Sequence, residues 1–254
     1  MGPPERYLAR IAEAGFSHVH WCHHWTGDRF YTWSEVKNIA AILQRHHLEL
    51  LDLHASAGIV ASVSSRIELR RRPGSALLKN RINMCSELGG GAVVLHVTSL
   101  SAMKTLDEAA ELCRRTGVRI ALENLAMPGH SELLATLLDT YDDDYVGLCY
   151  DTGHAHLIRN RGGSDADLLS SYPERLFAVH LHDNEGRRDQ HLLPFDGTSD
   201  WHDVADRLAA ANYRKPLCLE CSYNRYKYGT EHEFLSAAYS SGKRLYSLLS
   251  SESG

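Results

Sequence analysis

No stretch of the 254 residues approaches the about 18 consecutive apolar residues that a membrane span requires. Met1 to Arg10 also lacks the apolar core of a signal peptide, so a cytoplasmic location without membrane contact is expected. Positive charge is not in excess. Twenty-seven Lys and Arg against 32 Asp and Glu leave a net charge of −5, which argues against nucleic acid as the main partner. Cysteine is sparse and scattered, at 22, 85, 113, 149, 218 and 221, without the dense spacing of a disulfide framework, so reduced thiols are expected. Only Cys218 and Cys221 form a C-x-x-C. It falls in an apolar, strand-like run where residues three apart point to opposite faces, so the two sulfurs cannot chelate one ion together. Phe and Trp are few, at five and four, whereas histidine is abundant at 16. Neutral imidazole is the commonest protein metal ligand, although composition alone is weak evidence for a site.

No linker or composition break divides the chain, so residues 1–254 are read as a single domain. Short apolar runs alternate with longer helical patterns, the signature of parallel strands joined by helices. The periodicity predicts helices over 5–14, 34–46, 75–88, 106–115, 132–141, 165–172, 201–211 and 231–249. It predicts strands over 18–21, 49–54, 92–96, 119–124, 146–151, 177–183 and 216–220. The fold class is therefore α/β, and a (β/α)8 TIM barrel needs one more unit. Since the chain opens directly on a helix, the missing unit is the first strand: either the N-terminus is truncated or the barrel keeps a gap. A doubly wound open sheet is the alternative, though no glycine-rich phosphate loop follows the first strand.

Polar groups fall at the ends of six successive strands: His54 in LLDLH, His96 in AVVLH, Glu123 in IALEN, Asp151 in GLCYD, His180 in FAVHLHD and Glu220 in LCLE. In a barrel these carboxyl ends converge on the face where active sites are built. Strand alternation sets Asp52 on the side of His54, Ala121 with Glu123, Cys149 with Asp151, Ala178 with His180 and Cys218 with Glu220. Asp and His are common where any strand turns into a loop, and one or two would carry no weight. Six in succession would repel or lie unpaired if they converged, whereas a divalent cation satisfies them together.

These residues resemble the xylose-isomerase-like TIM barrels, a family of sugar isomerases, 3-epimerases and endonuclease IV. The likeness spans about residues 5 to 249. It is specific in LEN at 122–124, YDTGHAH at 150–156, VHLHDN at 179–184 with DQHLLPFDG at 189–197, and LECSY at 219–223. The resemblance implies a shared metal held by Glu123, Asp151, His180 and Glu220. It favours His180 over His182 as ligand and leaves Asp183 as a supporting group or substrate contact. His54, His96, His154, Asp189 and His191 are similar to further ligands of the three-metal endonuclease IV branch. Sugar-active relatives use such positions to bind substrate. PFDGTSDW at 194–201 departs from the family's usual Pro-Gly-Glu-Gly-like turn.

The resemblance implies a divalent-metal-dependent sugar isomerase or epimerase (Mn, Zn, Co or Mg), acting on a small sugar or sugar derivative through an enediolate. Glu123 and Glu220 would be its acid/base pair, His154 and His191 would orient hydroxyls, and His54 would serve as a polar donor. An endonuclease IV-like phosphodiester hydrolase with a multinuclear zinc site is the alternative, and a non-catalytic metal- or sugar-binding barrel a third. Trp21, His24 and Trp25 offer substrate contacts or simple packing. Arg70, Arg71 and Arg72 offer a phosphate contact or a solvated loop, and Asp142 to Asp144 read as a solvent turn. Tyr223, Arg225, Tyr226, Lys227 and Tyr228 offer a lid or a surface loop. A barrel without its first strand exposes an edge, for which a partner subunit, as in a homo-oligomer, or the N-terminal segment is the expected cover.

Overall fold

The computed structural model describes residues 3–24, 27–56, 63–141, 144–162 and 168–251. Helix α1 (Pro4–Glu13) precedes β1 (His18–Trp21), and the chain then alternates through α2 (Trp33–Arg45), β2 (Glu49–His54), α3 (Glu68–Glu87), β3 (Ala92–Leu95), α4 (Met103–Thr116), β4 (Arg119–Glu123), α5 (His130–Thr140) and β5 (Val146–Asp151). Helices α6 (Thr152–Asn160) and α7 (Leu168–Ser171) lead to β6 (Leu176–His180). Then come α8 (Trp201–Ala210), the short α9 (Arg225–Tyr228) and α10 (Glu231–Ser251). The six strands are parallel and hydrogen-bonded in the order β1-β2-β3-β4-β5-β6. A doubly wound sheet would reverse direction at its middle, and this order does not.

The strands are apolar on both faces, as parallel strands covered by helices must be. Leu53, Val93, Leu95, Ile120, Leu122, Leu148 and Val179 point outward into the main core under the helices. Ala92, Val94, Ala121, Cys149, Phe177 and Ala178, from four neighbouring strands, form a separate inner cluster, and the wall curves far enough to bring the ring of His20 on β1 to 4.7 Å from that of His180 on β6. Helix boundaries follow local chemistry. Thr32 and Glu35 form a capping box at the start of α2, and α4 stops at Gly117, whose φ of 71° lies in the left-handed region that favours glycine.

Several elements differ from expectation, among them α6 (Thr152–Asn160), which the periodicity did not predict. Helix α3 begins at Glu68 and carries Pro73 inside it, two turns before the predicted start, because buried Arg71 clamps its first turns onto α4 through Glu108 and Thr105. The Arg70–Arg72 run is thus helical, and two of its residues are paired: Arg71 also binds Glu68, and Arg72 lies 3.6 Å from the same carboxylate. Strand β6 ends at His180, with Leu181 and Asp183 continuing only as isolated bridges. The predicted strand 216–220 is reduced to a single parallel bridge between Leu181 and Leu219, held by the Leu181 amide on Cys218 O at 2.9 Å and the Glu220 amide on Leu181 O at 3.1 Å. Between this segment and β1, where the absent strand of a closed barrel would lie, a cavity of about 290 Å³ opens, lined by Phe16, Val19, Leu219, Glu220, Phe234 and Leu235 among others. Trp25, Asp142, Asp143, part of the predicted helix 165–172 and the side chain of Arg225 lie outside the described residues.

Candidate metal centre

Each expected ligand sits at the carboxyl end of its strand or just beyond, and the barrel curvature brings them to one mouth. Oε2 of Glu123 is the hub: His96 Nε2 lies at 3.1 Å, His180 Nδ1 at 3.2 Å and His54 Nε2 at 3.3 Å. The same His180 Nδ1 is 3.0 Å from Glu220 Oε2. On the other side of Glu123, Oε1 lies 3.3 Å from His154 Nδ1, while His154 Nε2 and His191 Nε2 both reach Asp189 Oδ2, at 3.3 and 3.1 Å. Among the described residues five groups have ligand atoms close enough to share one ion, and three of them lie at the mouth with only nitrogen and oxygen atoms: Glu123, Asp151, His180 and Glu220; His54, His96 and Glu123; and His182, Asp189 and His191.

The donor chemistry fits a cation. His54 Nδ1 is 2.6 Å from the Ala55 carbonyl, His154 Nδ1 is 2.9 Å from that of Asn124, and His191 Nδ1 is 2.8 Å from that of Glu220. A carbonyl only accepts, so each ring donates its Nδ1–H and presents a bare Nε2 to a carboxylate oxygen, an arrangement that calls for a proton or a metal between them. Spacings of 3.0–3.3 Å also match the edge between two ligands held about 2.1 Å from one ion. Oε2 of Glu123 is buried and accepts no well-formed hydrogen bond despite its three nitrogen neighbours.

Burial alone would raise the carboxyls and lower the imidazoles, and mutual attraction outweighs it here. His96, His180 and His154 hold Glu123 well below the usual carboxylate range; His180 does the same for Glu220, and His154 and His191 for Asp189. In return Asp151, Asp189 and Glu123 lift His154 to about 12, Asp189 and Glu220 lift His191 to about 9, and Cys149, Glu220 and Glu123 raise His180.

Neighbouring residues position these ligands. Asp151 ends β5 and caps α6, its Oδ1 accepting the His154 amide at 2.7 Å while Oδ2 takes His182 Nε2 at 3.0 Å. Gly153 permits this, because a Cβ there would stand 2.0 Å from the His182 ring. His182 stacks on His191 at 4.0 Å, which sets it beside the Asp189 group rather than in the His180 group. Asp183 is fully buried, and both its oxygens are taken by the following loop: the amides of Asn184, Gly197 and Ser199 and Trp201 Nε1, at 2.7–3.1 Å.

Trp21 and His24 join none of these groups. Trp21 is buried in the outer core, with Nε1 donating to Tyr31 Oη at 3.1 Å. His24, beyond β1, has a left-handed backbone (φ 57°) and a ring 4.0 Å from that of His23. In the segment after Glu220, Tyr228 and Lys227 both bind Asp196, and Tyr226 is exposed. Cys221 Sγ donates to the carbonyls of Leu181 and Leu192, whereas Cys218 is grouped with His20, Asp52 and His180. His20 was legible in HVHW only as one of two alternating histidines, and His182 only as the neighbour of a stronger candidate.

Comparison with known proteins agrees with this architecture. The family described as "Xylose isomerase-like TIM barrel" matches residues 8–238. A protein of Sinorhizobium fredii designated y4fM is 31% identical over 96% of this chain and 89% of its own length. "Probable endonuclease 4" of Mycobacterium ulcerans is 26% identical over 56% of this chain and 62% of its own length. Among solved structures, a "D-tagatose 3-epimerase-like protein" superposes with a TM-score of 0.76 and 21% identity, over 96% of this chain and 94% of that one.

Proposed function

The chain belongs to the xylose isomerase-like TIM barrel family, and from that premise we propose that it is a divalent-metal-dependent sugar isomerase or epimerase, moving a proton on the carbon beside the carbonyl of a ketose or keto-sugar. The observation that carries this reading is the pair of carboxylates at one imidazole nitrogen, Glu123 and Glu220 at 3.2 and 3.0 Å from His180 Nδ1. They stand on β4 and on the 217–220 segment, so a substrate between them meets a base on one face and an acid on the other. When bound, a divalent cation held by Glu123, Asp151, His180 and Glu220 supplies stabilisation for the negative charge that grows on the substrate oxygens. Glu220, whose side chain keeps 18% of its surface exposed, takes a proton from one face, and Glu123, carrying a proton of its own, gives it to the other. His154 and His191 orient hydroxyls. Likeness to a D-tagatose 3-epimerase-like structure supports a ketohexose as the substrate class.

A second reading, phosphodiester hydrolysis at a multinuclear zinc site, is favoured by one observation: the nine residues similar to endonuclease IV ligands adjoin one another around Glu123 and Asp189. The net charge of −5 weighs against a polyanionic substrate. The test is to incubate the metal-loaded protein with a panel of ketohexoses in deuterated water and, in parallel, with abasic-site DNA. Metal-dependent deuterium uptake beside the carbonyl without strand cleavage is the expected result. Cleavage without exchange transfers the assignment to the second reading.

A further inference from the structure

Beneath the mouth, one strand-step deeper, lies another set of metal-competent side chains. His20 on β1 pairs in register with Asp52 on β2, and His20 Nδ1 is 2.5 Å from Asp52 Oδ1. Asp52 precedes His54 by two residues and Cys218 precedes Glu220 by two, so both share the inward side of the ligands above them. The ring of His20 stands edge-on to that of His180, with centroids 4.7 Å apart. One ligand atom from each of His20, Asp52, Cys218 and His180 lies within 4.8 Å of all the others.

We propose that His20, Asp52 and Cys218, with the shared imidazole of His180, form a second cation site inside the barrel, suited to a thiophilic divalent ion such as zinc. The set mixes imidazole, carboxylate and sulfur, whereas the set at the mouth has only nitrogen and oxygen. All four side chains are buried; that of His20 is 7% exposed, and its Nε2 makes no hydrogen bond. A nitrogen left bare in a packed interior is unfavourable unless something accepts it or is accepted by it. Asp52 Oδ1 and His20 Nδ1 lie side by side on one edge of the ring, and neither nitrogen of the buried His180 ring makes a hydrogen bond, so a cation between these groups would satisfy atoms that the packing leaves unmet. The inference goes beyond the proposed function and shares only His180 with it.

Cobalt distinguishes the two sites. The chain is stripped with a chelator and reloaded with Co2+, and its absorption is recorded for the wild type and for Cys218→Ser, Cys149→Ser and Asp151→Asn. Expected is a thiolate-to-cobalt charge-transfer band in the near ultraviolet that disappears in Cys218→Ser with loss of one bound ion. It persists in Cys149→Ser and in Asp151→Asn, the latter weakening only the mouth. Zinc-edge X-ray absorption of the zinc-loaded wild type needs no variant, and a sulfur neighbour at about 2.3 Å is expected. Absence of that sulfur, or a cobalt band that survives Cys218→Ser, overturns the proposal. Loss of the mouth's ion or of sugar turnover with the sulfur signal intact instead counts against the proposed function.

Discussion

Glu123 and Glu220 approach the same nitrogen but stand in unlike surroundings. Glu123 is enclosed by imidazoles on both oxygens, while Glu220 is reached from the cavity beside β1. Glu220 is therefore the more open of the two carboxylates. Glu220→Gln keeps the shape and removes the base, so kcat for deuterium exchange should fall by about 10²–10⁴-fold, with KM within a few-fold. Exchange at the wild-type rate would remove its assigned role. Asp183 tests a different property. Because four donors of the 184–201 loop end on its carboxylate, Asp183→Ala leaves buried N–H groups without acceptors and should destabilise the chain by about 3 kcal/mol, read from urea unfolding. A substrate contact alone would leave unfolding unchanged and raise KM.

At the scale of elements, the link between α3 and α4 is electrostatic. Arg71 lies between Glu68 and Glu108, and its hydrogen bonds hold both carboxyls down to about 2. A carboxyl depressed on folding stabilises the native state fully above its unfolded value, about 4.3, and that contribution is lost as pH falls through the folded one. The urea midpoint of the wild type should therefore drop between about pH 4.5 and pH 2, and less steeply in Glu108→Gln; equal slopes would detach Glu108 from acid stability. This clamp also explains what the sequence concealed. Strands 18–21, 49–54 and 146–151 were legible to the residue, the last because both faces of a covered strand are apolar and its polar end marks the stop. The first turns of α3 were not, since Pro73 reads as a breaker until the partner of Arg71 on α4 is known. The polar residues at strand ends were legible for the same reason as the strands. His20 was not, because β1 offers His18, His20 and Trp21 together. Only packing of Trp21 on Tyr31 reveals which alternation faces outward.

For the whole molecule, a cation taken up by the carboxylates and imidazoles gathered at one mouth would be linked to folding. A ligand present at about a hundred times its dissociation constant stabilises by about 2.7 kcal/mol. In a chain of this size that is about 5–10 °C in Tm. Removal of divalent ions by a chelator should lower Tm by this amount, and added zinc or manganese should restore it. A melting curve indifferent to both would leave the mouth as a purely hydrogen-bonded cluster. No helix among the described residues is long and apolar enough to cross a membrane.

The ring of strands is a horseshoe whose last limb joins β6 by two backbone bonds at Leu181 and is otherwise tied to the 189–192 loop by His191, Cys221 and Ser222, whereas β4, β5 and β6 are laddered to neighbours. Glu220 rides on that limb, so the spacing between the two glutamates can change by swinging one tip without shearing the rest of the wall. In hydrogen exchange, the amides of Cys218 to Cys221 should open before those of β4 and β5, making the width of the jaw the softest coordinate of the whole scaffold.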